Sequence, residues 1–376
     1  MKRPGPSKSP RKPAVRAKRL PRPSANAVTV RDVAKAAAVS VATVSRALNG
    51  SPAVTEDLRQ HVVATAERLN YTPHAAARAL ASQRSSTIGA VIPTLENVNF
   101  AAGIEALQRR LSDAGYTLLL ASSNYDAEQE LRQVKALASH GVAGMMLVGR
   151  AHAPGLYAFL QAKKIPYVNA WVTDPEQPSV GFDNRDIGRA LANYLADLGH
   201  TRFGVIAQVT GNSDRAAERV AGIRESLRLR GLPPPQERLS ELPYKIIEGQ
   251  LALRGLIQSS RPPTAVICGT DTLAFGAMIE AGKLGLAVPK DLSISGVNDA
   301  EFAAYLEPPL TTIRLPADEV GVRAADYLLG RVAGRPMVAA TRVAFSLIVR
   351  GSTAPPSGAA SGLGRNATQG KLEPQS

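Results

Sequence analysis

The sequence predicts an α/β protein: an N-terminal all-α helix-turn-helix head, followed by a two-lobed core of doubly wound parallel sheets. Three observations carry this. Residues 28–70 place capping residues ahead of apolar positions at helical spacing. From residue 87, short continuous apolar runs alternate with amphipathic stretches, the pattern of parallel strands covered on both faces by helices. That alternation continues for about 265 residues, long for one sheet, so two lobes with a cleft between them are expected. The expected boundaries are a disordered basic tail (1–27), the head (28–72), a hinge helix and linker (73–86), the core (87–351) and a second disordered tail (352–376).

In the head, Thr29 with Asp32 three residues on forms a capping box that opens a helix through about Ala37. Ser40 can cap a second helix over 41–48, ended by Asn49-Gly50-Ser51-Pro52. Its Val44, Ala47 and Leu48 fall at i, i+3, i+4 and can pack inward, leaving Ala42, Ser45, Arg46 and Asn49 on another side. Thr55 can cap a third helix, with Leu58, Val62, Ala66 and Leu69 as its inward stripe. Ala38 stands where a tight turn suits glycine or asparagine, at about 1 kcal/mol if its φ is positive. The run "PHAAARALA" (73–81) starts with proline at a first helical position, but it is short and has little bulk except Leu80.

In the core, the strands read as "TIGAVIP", "YTLLLAS", "GMMLVG", "IPYVNAW", "RFGVIAQ", "TAVICG" and "LSISGVN". Helices are expected over 127–139, 155–163, 214–229, 247–258 and 271–283. Two more carry the stripes Phe100/Ile104/Leu107/Leu111 and Ile187/Leu191/Tyr194/Leu198. Gly115, Gly199, Gly231 and Gly285 fall just past helix ends, where a left-handed residue is wanted.

Charge placement narrows the function. The net charge is +14, and the first 86 residues hold +12 of it, including nine Lys/Arg and no acid in residues 1–24. A basic front on a near-neutral body suits a polyanionic partner, although a basic tail alone can be merely solubilising. The single cysteine, Cys268, excludes an internal disulfide and suits a reducing cytoplasm. No apolar run reaches the roughly 18 residues of a membrane helix, and the basic, proline-rich start lacks the apolar segment of a secretory signal. The chain has no GxSxG, P-loop, GxGxxG or HExxH, and its five histidines lack metal-ligand spacing, so no enzyme, metal or cofactor is expected.

The run "TVRDVAKAAAVSVATVSRALNGSPAVTEDLRQHVVATAERLNYTPHAAARAL" closely resembles the N-terminus of the lactose/galactose-repressor family of bacterial transcription regulators. The likeness continues through "SSTIGAVIP", "VGFDN", "LADLGHTRFGVI", "RPPTAVICGTDTLAFGAM", "VPKDLSISGVND" and "EPPLTTIRLP". It implies a periplasmic-binding-protein-like core, a homodimer, a near-palindromic duplex DNA operator as partner, and a small effector such as a sugar or sugar derivative in the cleft. The second helix would enter the major groove. Arg46 can donate two hydrogen bonds to guanine, while Val41 and Ala42 occupy base-choosing positions and suit thymine methyl groups; Val41 could instead pack on the first helix. Thr29 joins the expected DNA-facing set, and Ser40, Thr43, Ser45, Asn49 and Tyr71 can reach phosphates. Leu80 matches a residue that wedges into the minor groove, from a hinge expected to fold only on DNA.

Pockets in such folds lie at the carboxyl ends of strands, between the lobes. The expected effector set is Asn99, Phe100, Trp171, Asp183, Arg219, Thr270, Asp271 and Asn298. Arg219 matches a family position that grips polar groups. Each aromatic could equally be core filler, and Asp271 could instead cap the helix behind it. Trp171 and Asn298 replace carboxylates common in similar proteins, making the pocket less acidic and more aromatic. The C-terminal tail has Pro, Gly and Ser rather than a heptad helix, so a dimer is expected rather than a tetramer. Two rivals remain on the core fold alone: a periplasmic-type solute-binding protein and a sugar-processing enzyme.

Overall fold

The computed structural model describes residues 28–48, 51–71, 85–209, 211, 213–232 and 239–357. The chain divides into two compact units, with the division after Gln83. Asn49, Leu80 and most of the expected hinge lie outside the described residues.

The first unit holds α1 (Val30–Ala36), α2 (Val41–Leu48) and α3 (Glu56–Arg68). The Asp32 carboxylate accepts from the Thr29 amide and hydroxyl at 2.8 and 2.7 Å, so α1 starts where its capping box sits. The Ser40 hydroxyl accepts from the Thr43 amide at 3.0 Å and starts α2. Val33, Ala34, Val44, Ala47, Val62 and Ala66 form the buried centre, with Leu58, Leu69 and Tyr71 packed around it. Small residues let three short helices close on one another. Ala38 makes the turn between α1 and α2 at φ +55°, the left-handed conformation suspected from its position.

The second unit contains two six-stranded sheets. The first has strand order β11-β5-β4-β3-β1-β2 and is parallel throughout. It comprises β1 (Thr87–Ile92), β2 (Thr117–Ser122), β3 (Gly144–Val148), β4 (Tyr167–Ala170), β5 (Ser179–Gly181) and β11 (Ala340–Arg342). The second has order β12-β10-β9-β8-β6-β7: β6 (Phe203–Gln208), β7 (Leu239–Leu242), β8 (Ala265–Cys268), β9 (Ser293–Asn298) and β10 (Thr311–Arg314) run parallel, and β12 (Ser346–Ile348) pairs antiparallel with β10. Doubly wound lobes are therefore present as expected. Gly115, Gly199, Gly231 and Gly285 all take positive φ at the helix ends.

The first sheet is covered on one face by α4 (Val98–Asp113) and α11 (Ala317–Val332), and on the other by α5 (Ala127–Ser139) and α6 (Leu156–Ala162). The second lies between α7 (Asn184–Asp197) with α8 (Asp214–Leu229), and α9 (Ile246–Ile257) with α10 (Asp271–Lys283). Three helix pairs cross at facing glycines: Gly103 with Gly321, Gly188 with Gly222, and Gly249 with Gly276. A Cβ at any of these six would run into the backbone of the partner helix.

The chain passes between lobes three times, at residues 182–183, 315–316 and 343–345, where Phe182, Leu315 and Val343 are buried in one continuous core. Residues 352–357 are ordered. The Ser352 hydroxyl, fully buried, donates to the Ile294 carbonyl at 2.6 Å and accepts from the Thr311 amide at 2.9 Å. These bonds tie the chain past 351 onto the second sheet, so the expected disordered tail at 352–376 is corrected at its start.

Candidate DNA-reading face and effector cleft

On α2, Val44 and Ala47 are buried, while Val41 is 42% exposed and Ala42 and Arg46 face solvent. Val41 therefore does not pack away against α1. Thr43 is half-buried, and its hydroxyl bonds Ser40 at 2.8 Å. Ser45 and Tyr71 are half-buried. The inner face is satisfied within the unit, leaving Val41, Ala42 and Arg46 as the exposed side chains of α2.

The second constellation lies between the lobes. Asn99, Phe100, Trp171, Arg219, Thr270 and Asn298, six of the expected effector residues, come together around one inner chamber, joined by Asn184, Gln208 and Arg215. Asn97 caps α4 through the Asn99 amide, which aims the Asn99 side chain into the wall. There the Asn99 amide group donates to the Leu315 carbonyl at 3.1 Å and accepts from the Trp171 indole N–H at 2.6 Å. The indole is 2% exposed, edge-on to Phe100 at 5.0 Å, with its far rim against Gly103. Trp171 is thus a packed wall as much as a contact surface. It takes φ +61°, outside ordinary strand geometry.

Arg219 comes from the middle of α8. One terminal nitrogen donates to the Asn184 side-chain oxygen at 3.2 Å, and Nε has no partner among protein groups. Burial, then the neighbouring charge of Arg215, pull its pKa down to about 10, so it remains charged at neutral pH. Among the described residues no carboxylate lines the chamber. The Asp214 charge acts favourably on the half-buried guanidinium, and a ligand rich in acceptors could bond the open Nε.

Two expected effector residues are corrected. Asp183 caps α7, accepting from the Arg185 and Asp186 amides at 3.0 and 3.1 Å, and lines a separate recess with Arg150 and Glu218. Its neighbour Asn184 faces the chamber instead, because a helix cap turns its side chain back along the axis. Asp271, 1% exposed, accepts from the Ala300 amide and the Thr312 hydroxyl at 2.7 and 2.6 Å, tying β9 and β10 to α10. It is not the helix cap either; Thr270 is. The lobes are latched by Asp214 accepting from the Arg150 amide at 2.6 Å, by Arg150 with Glu218 at 2.7 Å, and by Arg342 with Asp186 at 2.6 Å. The inner chamber is correspondingly tight, with about 20 Å³ free. Cys268 is fully buried and its thiol pKa is raised by burial, so it is no nucleophile.

Residues 29–74 match the family model described as bacterial regulatory proteins, lacI family, and residues 192–353 match the periplasmic binding protein-like domain. The HTH-type transcriptional regulator MalR of Streptomyces coelicolor is 34% identical over 335 residues, covering 86% of this chain and 96% of that protein. The chain belongs to the lacI family of bacterial regulatory proteins. The ribose operon repressor of Haemophilus influenzae is 32% identical, covering 81% of this chain and 92% of that protein. The lac repressor dimer bound to operator and the anti-inducer ONPF is 27% identical, covers 88% of this chain and all of that one, and superposes with a TM-score of 0.79.

Membership settles the rival readings. The chain is a lacI-family DNA-binding transcription repressor, and its relatives are regulators rather than solute-binding proteins or enzymes. Among the described residues no helix is long and apolar enough to cross a membrane. Sequence reasoning missed Arg215, Asn184 and Gln208 in the chamber. Arg215 stands one turn before Arg219 in "SDRAAERVAGI", a helical spacing that could have found it.

Proposed function

We propose that this repressor acts as a cytoplasmic homodimer on a near-palindromic operator, with α2 of each copy in the major groove, and that a sugar or sugar derivative in the interlobe cleft controls it. The observation that carries this reading is Arg219: a half-buried, charged guanidinium whose Nε is buried and unpartnered, in a chamber that no carboxylate lines among the described residues, at the junction of two lobes. The exposed Val41, Ala42 and Arg46 support the groove-reading role, and the lac repressor complex shows a relative engaging operator and small molecule as a dimer.

Control needs no covalent chemistry. A ligand that favours one lobe arrangement shifts the population toward it. Moving it from 99:1 to 1:99 takes about 5.5 kcal/mol of differential binding. Ligand is screened by thermal shift on the full chain, and the hits are carried into footprinting on its own promoter region with an Arg46→Ala control. A sugar-class hit that changes a protected near-palindrome in wild type, with no footprint from the control, is the expected result. A monomeric mass, or a footprint indifferent to Arg46, overturns it.

A further inference from the structure

The folded head is almost neutral. Residues 28–71 hold five Lys/Arg against four Asp/Glu. Helix α2 carries a single cation, Arg46, and the groove-reading role sets it on a base. Arg59 is engaged within the head, donating to the Ser51 carbonyl at 3.1 Å with its Nε 3.6 Å from a Glu56 carboxylate oxygen. That leaves Arg31, Lys35 and Arg68 exposed, among the equally exposed Asp32, Asp57 and Glu67. Duplex DNA carries one negative charge per about 1.7 Å of its axis, and neutralising phosphates supplies essentially all of a protein's sequence-independent affinity. A head with so little net charge can choose bases but holds the duplex weakly.

The charge stands in front of it. Residues 1–24 contain nine Lys/Arg and no acid. Six of the same residues are proline, and Val15 and Leu20 are the only branched apolar ones, so the composition offers little to bury in a core. This stretch lies outside the described residues and ahead of the lacI-family match, which starts at Thr29. It joins the head at Val28, 37% exposed, and at the exposed Thr29. The join is open to solvent at the leading end of α1, the helix that crosses the DNA backbone when its successor sits in the major groove. A stretch of that length spans at most about 80 Å, and base pairs rise about 3.4 Å each. Cations tethered there reach phosphates beyond a half-site.

We propose that residues 1–24 are a DNA arm, whose lysines and arginines neutralise phosphates of the duplex flanking each half-site and supply the affinity that the near-neutral head lacks. This rests on the operator reading above. Phosphate contacts carry no sequence information, so the arm strengthens binding to any duplex and leaves the choice of site to α2. The test compares the full-length chain with a full-length variant carrying Arg11→Gln, Lys12→Gln, Arg16→Gln, Lys18→Gln and Arg19→Gln. Each is titrated by fluorescence anisotropy, over a series of salt concentrations, against a duplex from its own promoter region and a scrambled duplex of the same length. The variant melts as the wild type does. Its slope of log affinity against log salt is shallower by about 2 or more, and at low salt it binds both duplexes about tenfold or more weakly. If slope and affinities stay as in the wild type, or the loss falls on the promoter duplex alone, the arm is wrong and the operator reading stands. A wild-type chain that binds both duplexes alike overturns the operator reading without touching the arm; one that binds neither overturns both.

Discussion

On α2, Ala42 and Arg46 face solvent and Val41 is 42% exposed, on a helix whose caps and inner face are completed by other residues. In the cleft, Trp171 is buried and Arg219 half-buried, and each also holds structure: the indole braces Asn99, and the guanidinium reaches Asn184. A rigid duplex can be read by a finished surface, because the reading groups meet it from outside. A small molecule enclosed by lobes needs groups already removed from water and incompletely paired. The candidate reading residues of the head can therefore change at little cost to its fold, whereas the candidate recognition residues of the cleft cannot change without disturbing its packing.

Four substitutions test that contrast. Gly222→Val drives a side chain into the Arg185 backbone at the α7–α8 crossing, one turn from Arg219, and neither backbone can yield. A loss of about 3 kcal/mol or more in chemical denaturation is expected, together with loss of ligand response. Arg46→Ala should weaken operator binding by about 1–3 kcal/mol in a gel shift while leaving the melting curve unchanged; a lower melting temperature would show that the head is not a finished surface.

Asp271 sharpens the core side of the comparison. Burial raises its pKa to about 6, outweighing the hydrogen bonds from Thr312 and Ala300 that pull it down. The folded chain then holds this proton more tightly than the unfolded chain does, so stability falls as pH rises from about 4 to about 6 and levels off above. The effect is on the order of 2 kcal/mol, and Asp271→Asn should flatten that part of the stability–pH curve. The smallest effect is expected for Ala38→Gly, which relieves the positive φ between α1 and α2 and should stabilise the head by about 1 kcal/mol without altering operator affinity.

Much of this was legible in the sequence where side chains act locally. The Thr29–Asp32 box, the Ser40 cap, the glycines past helix ends and most core strands declared themselves through neighbours a few residues away. The three- and four-residue strands β5, β7, β10, β11 and β12 did not, being too short for a periodic signal and completed only by sheet partners. Helix α11 was missed for another reason: Gly321, Ala324 and Ala325 thin its apolar stripe, because it meets α4 through backbone rather than bulk. In the site, the error at Asp183 was one residue wide, since capping decides whether Asp183 or Asn184 looks into the chamber. Asp271 misled because a buried carboxylate beside a cleft can tie strands to a helix as readily as it holds a ligand.

The three interlobe passages all leave from strands at one margin of each sheet: β5 and β11 in the first, β10 and β12 in the second. Two plates pinned three times along a shared margin keep one easy freedom, a swing about the line of pins, while sliding and independent rocking would strain at least one pin. Whatever enters the gap between the plates is thereby translated into a single angle.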